Sequence, residues 1–356
     1  MRASPGLQLD YVSLAEYQAA RWGNVLGVAT FNGAPDSPAG EAEIPVAQVS
    51  TPVLPGAGHV CEVWRCDTPA TSGRRHRVRF RGTAEVLFGC IAVTEAQVAA
   101  ATPPESHLPT GRGPQHSALQ EATTQAYREI CATLDAESYP HLLRVWNYLP
   151  DINRDSHGTE RYRQFNTARQ QVLRECGRSL AGNVPAASAL GAASDSPVVV
   201  YFLAARTAPT FLENPRQVSA YHYPQQYGSH SPVFSRATLL RQNGDVTLLI
   251  SGTASIVGHR SLHAGDTAAQ TRETLANIEA LLAEANRVAR GARFELGALA
   301  CKVYVRRPAD LPVIEAELAA ALGAGARVIY LQADICRQDL LVEIEATGMC
   351  PLHTDA

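Results

Sequence analysis

The chain has 356 residues, 46% of them hydrophobic and 18% charged, which describes a folded globular protein long enough for two domains of ordinary size. Its 31 Lys and Arg against 34 Asp and Glu leave a net charge of -3, so it has no general attraction to nucleic acid or to an anionic membrane, and an anionic ligand would need local cations. No apolar run approaches a membrane span, and "MRASPGLQLDYVSLAEYQ" carries no apolar signal core, a pattern expected of a cytoplasmic protein.

In chain order, residues 32–58 are rich in Gly, Pro, Ala and Ser and read as a loop. Cys61 and Cys66 in "CEVWRC" come nearest to a metal spacing, but no second pair follows, and the eight cysteines are otherwise scattered; reduced, mostly buried thiols and no metal are expected. Strands in "HRVRFRGTAEVLFGCIAV" precede a helix near 117–134 that turns Leu119, Ala122, Ala126, Ile130 and Leu134 inward. A strand "HLLRVWNYLPDIN" leads to a helix "TERYRQFNTARQQVLREC", on which Tyr162, Phe165 and Ala168 form an inward stripe bordered by Arg161 and Arg169. Residues 179–197 read as a linker before the strand "PVVVYFLAAR".

In "AYHYP", Tyr221 and Tyr223 alternate with His222, placing both phenols on one side if the segment is extended; they either bond a ligand carboxylate or cover a core. The strands of "FSRATLLRQNGDVTLLISGTASIVG" follow, with Gly252 to Ser255 able to approach a ligand closely. A helix over 268–287 has Thr267 and Gln270 as a capping box and Leu275, Ile278, Leu281, Leu282 and Ala285 as its apolar stripe. His259 and His263 in "GHRSLH" have no carboxylate beside them, which disfavours a metal site. Then come a strand "ALACKVYVRRPADL", a helix that Pro312 suits at its first turn, and the strands "RVIYLQADIC" and "LLVEIEA". No P-loop, no GxGxxG after a strand and no GxSxG occur, so neither a nucleotide cofactor nor a hydrolase elbow is expected.

The order β-β-α-β-α-β-β thus occurs twice, which predicts an α+β fold with helices on one sheet face, divided into residues 1–206 and 207–356. The copies differ where it matters for chemistry. The first ends in the apolar "VVVYFLAA" where the second has "LLVEIEAT", and only the second has an arginine, Arg327, before its last strand and a glutamate, Glu343, within it. On that strand Leu340, Val342, Ile344 and Ala346 share one face and Leu341, Glu343 and Glu345 the other. Glu343 is either the wet side of an edge strand or an acid in a pocket, where burial would raise its pKa enough to hold a proton near neutrality. Glu345, further along, is taken as structural.

In "SPVFSRA", "LLISGTAS", "AQTRETLANIEALL" and "VEIEA" the second copy resembles the RidA/YjgF family. The whole chain, through "RVWNYLPDINRDSHGTERYRQFNTAR", "ENPRQVSAYHYPQQYG", "SGTASIVGH" and "YLQADICRQDLLVEIEA", resembles the chorismatases. That resemblance implies two RidA/YjgF-like (chorismate-mutase-like) sheet-plus-helix domains in tandem, in a pseudo-trimer-like arrangement. It also implies release of pyruvate from chorismate with no metal or organic cofactor, for secondary metabolism, by a monomer or a homotrimer. The RidA/YjgF resemblance puts Arg327 and Glu343 in the pocket, with Glu343 the catalytic acid. From their positions in the sequence Cys336 is a further expected catalytic residue, and Arg161, Arg169, Tyr221, Arg216 and Ala254 join Arg327 as expected substrate contacts. Arg163 and Arg236 are further candidate clamps, because a guanidinium grips a carboxylate bidentately. The competing readings are a RidA-like imine deaminase and a non-catalytic ligand-binding protein on the same fold.

Overall fold

Strands that are apolar on both faces need a packed layer on each side, and the closing strands of both copies are buried end to end over "VVVYFLAA" and over Val342 to Thr347. The computed structural model, which describes residues 6–19, 22–32, 43–56, 58–101, 116–323 and 325–352, shows how. Three sheets turn one face each toward a shared interior built from Trp64 of the first, Trp146, Tyr148 and Tyr201 of the second, and Tyr304 of the third. Helices Ala118–Ala136 and Arg161–Glu175 cover the outer face of the second sheet, and helices Thr267–Ala289 and Leu311–Leu322 that of the third. The architecture is α+β.

The internal repeat is explicit in the strand order. Five neighbouring strands of the second sheet run Ala186–Ala192, His141–Pro150, Val198–Ala205, Val86–Val93, Val78–Gly82, and five of the third run Arg327–Gln332, Ala300–Val305, Val342–Pro351, Asp245–Ala254, Ala237–Gln242, with the first pair parallel in each. Thr71–Arg75 extends the second, and Val53–Leu54 and Thr210–Leu212 flank the third. In the second sheet Val199 lies opposite Tyr148 and Tyr201 opposite Trp146; in the third Glu343 lies opposite Tyr304 and Glu345 opposite Lys302. The two tyrosine hydroxyls, 2.7 Å apart, mark equivalent positions. Val199 therefore stands where the second copy has Glu343, and the first copy has no acid there.

Several expectations are corrected. The stretch 179–197 is not a linker throughout, since it contributes the strand Ala186–Ala192, which Ala, Ser and Gly allow to run close against its neighbours. Of 32–58, residues 33–42 and 57 lie outside the described residues, and the rest includes strands Val46–Val49 and Val53–Leu54. Leu7–Ser13, Val60–Cys66, Val25–Phe31 and Val46–Val49 form a sheet of their own, ahead of the repeat. Helix Ala118–Ala136 starts with a capping box of Ser117 and Gln120 that was not among the expectations, whereas the one read at Thr267 does not form. Asp266 caps that helix by accepting from the Ala269 N–H at 2.9 Å. The Gln270 amide instead donates to the Asp339 carbonyl (2.8 Å) and accepts from the Leu341 N–H (2.8 Å), fixing the segment that enters the closing strand.

The three sheets meet over charge. Lys302 is fully buried; its ammonium pairs with Glu62 of the first sheet and, at 2.7 Å, with Glu345 of the third. The other Glu345 oxygen accepts from Arg144 and Ser188 of the second sheet, each at 2.7 Å. Trp146 and Trp64 donate to Glu345 and Glu62 at 2.7 Å each, and Lys302 also donates to the Tyr201 hydroxyl at 2.9 Å. Two carboxylates are thus matched by two cations, in a region where an unmatched charge costs several kcal/mol.

Lys302→Met should therefore lower stability by about 3–5 kcal/mol in urea denaturation, because it leaves two buried carboxylates facing one guanidinium. A loss under about 1 kcal/mol would show that the chain of charges is not what joins the sheets.

Candidate active site

Beside the junction of the second and third sheets lies a cavity of about 920 Å³, a size suited to a small organic ligand. Its walls come from helix Arg161–Glu175 and the turn before it (Tyr162, Arg163, Glu160), the loop 223–236 (Tyr223, Tyr227, Phe234, Arg236), strand Asp245–Ala254 (Gly252, Ala254), the hairpin Ile256 to Ser261, and the segment 336–343.

Glu343 lies at its floor, 4% exposed. Among the described residues no group donates a hydrogen bond to its carboxylate. Burial first, then the negative charge of Glu345, push its pKa up to about 8 against the opposing pull of Arg144 and Arg306. Glu345, two residues on, is treated in the opposite way: burial opposes its ionisation, but Lys302, Arg144 and their hydrogen bonds outweigh it and hold its pKa below the ordinary value. Glu343 has room because residue 252 has no side chain. A Cβ there would run into the Glu343 carboxylate, with Cδ only 2.7 Å away, and would lie 3.1 Å from Ser188 Oγ. Cys336 stands beside the acid, its thiol pushed up to about 12 by burial and then by Glu343, so it is present as the neutral SH.

The cations lie across the cavity. Arg236 is buried, donates to the Val218 carbonyl and the Tyr223 hydroxyl at 2.8 Å each, and keeps its Nε–H without a partner. Arg337 donates to the His259 carbonyl (3.0 Å) and Ser261 Oγ (3.1 Å), stacks 4.0 Å from the Tyr227 ring centroid, and has a buried Nη2 without a partner. Buried N–H groups left open on two arginines that face one cavity are suited to an anion. Arg260 and Arg163 are at the mouth, and Arg260 has no hydrogen-bond or ion-pair partner among the described residues. Arg306 holds the arginine-bearing loop by donating to the carbonyls of Ile335, Arg337 and Leu340. No group of His, Cys, Asp and Glu among the described residues could hold a metal.

Comparison with known proteins agrees with this architecture. A family profile described as "Chorismatase FkbO/Hyg5-like, N-terminal" matches residues 62–204. A "3-hydroxybenzoate synthase" of Streptomyces hygroscopicus is 35% identical over 92% of this chain and 92% of its own. A "Chorismatase" of Streptomyces rapamycinicus is 37% identical over 80% of each. The crystal structure of a chorismatase superposes with a TM-score of 0.83 at 31% identity, covering 97% of this chain and 99% of the other. The chain belongs to the chorismatase family.

Of the residues expected from sequence, Glu343, Cys336 and Ala254 line the cavity together, as do the candidate clamps Arg163 and Arg236. Five others do not. Arg327 opens the strand next to Val53–Leu54, exposed, and donates to the Leu9 carbonyl (3.3 Å) at the junction with the first sheet. Arg161 turns away to Glu95 and the Pro150 carbonyl. Arg169 is buried beside Tyr127 and Phe165 and donates to the Val233 carbonyl (2.7 Å), so it steadies the loop that bears Phe234 rather than the ligand. Arg216 is held by Glu273 and Asn277. Tyr221 lies beside half-buried Glu213, and only its neighbour Tyr223 reaches the cavity. Arg337 and Arg260 were missed; Arg337 follows Cys336 directly, but no periodicity marks which way a side chain turns in an irregular loop.

The raised pKa of Glu343 has a stability consequence. The folded state keeps the proton where the unfolded chain, titrating near 4.5, has lost it, so this contribution is present at low pH and is lost as pH rises through about 8. The stability of Glu343→Gln relative to wild type should rise by about 1.4 kcal/mol per pH unit between about pH 5 and 8. A difference independent of pH would mean that Glu343 is already ionised in the fold.

Proposed function

We propose that the protein removes pyruvate from chorismate, with Glu343 as the general acid. The observation that carries the reading is a glutamate with no hydrogen-bond partner among the described residues, held protonated near neutrality and facing two arginines with open donors across one cavity. Chorismate is a dianion bearing an enol ether. Arg337 and Arg236 take its carboxylates, aided by Arg260 and Arg163 at the mouth, and so bring the vinyl methylene to the Glu343 carboxyl. Transfer of that proton to carbon makes an oxocarbenium ion, a step that a carboxylic acid of pKa about 8 can perform at neutral pH. Either water adds to the oxocarbenium carbon and the hemiketal collapses to pyruvate and the ring alcohol, or the neighbouring ring hydroxyl attacks the ring carbon that bears the ether. In the second route an epoxide forms as that carbon–oxygen bond breaks and pyruvate leaves, and the epoxide opens with loss of the ring proton to the aromatic product. In both routes the proton set free returns to the Glu343 carboxylate.

The internal route consumes no water and gives 3-hydroxybenzoate; hydrolysis consumes one and gives a dihydroxycyclohexadiene carboxylate. Ala254, Gly252 and Cys336, whose thiol is neutral, line the cavity with the acid. The 35% identity to a 3-hydroxybenzoate synthase over 92% of the chain supports 3-hydroxybenzoate as the product. The RidA-like deaminase reading is less well supported, because a small imino acid would not need four arginines around so large a cavity. The enzyme is assigned to the cytoplasm, in keeping with the absence, among the described residues, of any helix long and apolar enough to cross a membrane. Residues 207–356 supply the acid and residues 1–206 its partner surface; three sheets closing one interior within a single chain favour the monomer over the homotrimer.

Incubation with chorismate should release pyruvate and 3-hydroxybenzoate in equal amounts. Glu343→Gln should lower kcat about 10²–10⁴-fold, and the wild-type kcat/KM should fall as pH rises above about 8. No pyruvate from wild type would end the proposal, and full activity in the variant would remove Glu343 from it. Arg337→Gln should raise KM about 10–100-fold with a smaller effect on kcat, as expected when a charged hydrogen bond to a carboxylate is lost; an unchanged KM would remove Arg337 from the clamp.

A further inference from the structure

The buried ion chain that joins the sheets reaches the floor of the cavity through one hydroxyl. Ser188, on a strand of the second sheet, donates to Glu345 Oε2 at 2.7 Å and accepts from Arg144 and, at 3.1 Å, from the backbone N–H of Gly252. Gly252 lies where the pairing of Asp245–Ala254 with the closing strand shifts register between Ile250 and Thr253, directly under the Glu343 carboxylate. Glu345 is on the same side of the strand as Glu343, two residues along, and so about 7 Å away.

We propose that Arg144, Ser188 and Glu345 are positioning residues for the catalytic acid, with Ser188 fixing the backbone beneath Glu343 while the Arg144–Glu345 pair sets how strongly Glu343 holds its proton. The inference rests on the reading of Glu343 as that acid and adds to it a contribution from the first copy of the repeat. Glu345 disfavours a second negative charge beside it, and Arg144 favours one. Their balance keeps the acid protonated near neutral pH yet able to give its proton up. The other titratable or charged groups around Glu343 are Tyr304 on the neighbouring strand, Arg306 at the loop base, Cys336 and Arg337 on the preceding segment and Tyr162 on the covering helix. None of these is paired to Glu345 in an ion bridge.

The test is the titration midpoint of Glu343, read in the free protein by NMR with carbon-13-labelled glutamate and assigned with Glu343→Gln. Glu345→Gln should lower the midpoint by on the order of one pH unit, as expected for loss of a like charge about 7 Å away at an effective dielectric of about 20. Arg144→Gln should raise it, and the charge-balanced double variant, which keeps the Glu62–Lys302 pair, should return it toward wild type. The alkaline limb of kcat/KM should move with each midpoint. If Glu345→Gln does not fold, the upward shift in Arg144→Gln and its reversal in the double variant carry the same information. Midpoints that stay at the wild-type value while stability changes would overturn the proposal and leave the three residues as scaffold. Because the midpoint is read without substrate, a wild type that releases no pyruvate from chorismate would overturn the functional reading alone.

Discussion

Everything in this molecule is arranged around a buried line of four charges, Glu62, Lys302, Glu345 and Arg144, drawn from three different sheets. Such a chain is a weak source of net stability, because desolvation of each ion offsets most of the attraction. Its strength lies in specificity. Any displacement of one sheet against the others leaves a charge without its counterpart, so a set of faces that are otherwise interchangeably aromatic and aliphatic has a single register. The tryptophans and tyrosines around the line fill the interior and donate to the carboxylates at once, with Trp146 and Tyr201 stacked at 4.5 Å.

The same arrangement separates two glutamates that the strand presents on one face. Glu345 receives Lys302, Arg144, Ser188 and Trp146 and is an anion; Glu343, one repeat of the pleat away, receives no hydrogen bond from any described residue and keeps its proton. Environments that push two neighbouring carboxyl groups apart in pKa are a recurrent way of assigning an acid. Here the separation has a topological origin: the cations that would neutralise Glu343 are spent on Glu345, and the ligand-facing arginines stand across the cavity on loops. Acid on a rigid strand and clamps on loops is a division suited to placing a proton accurately while admitting a substrate.

Much of this was legible in the sequence. The repeat and the difference between "VVVYFLAA" and "LLVEIEAT" rest on alternation and comparison between copies, which strand geometry preserves, whereas the choice of Glu343 over Glu345, on the same face, came from the family resemblance. The first sheet was not legible, because Leu7–Ser13 and Val25–Phe31 have no counterpart in the repeat and pair with residues about 30 to 60 positions distant. Ala186–Ala192 was read as linker since small residues lack β-propensity, although in this chain their size is what lets the strand approach Gly252 and Glu345. The arginines divided by context. Arg327, Arg161, Arg169 and Arg216 look like Arg337 in a sequence, and what separates them is whether the folded chain brings the guanidinium to the cavity wall.

The central claim is that Glu343 carries a proton at neutral pH. Infrared difference spectroscopy between wild type and Glu343→Gln tests it most directly, since a protonated carboxyl and a carboxylate absorb in separate bands. The account predicts a carboxylic acid C=O band at pH 7 that is absent from the variant and disappears from wild type as pH rises past about 8. A difference spectrum at pH 7 that contains carboxylate bands and no carboxylic acid band would contradict it.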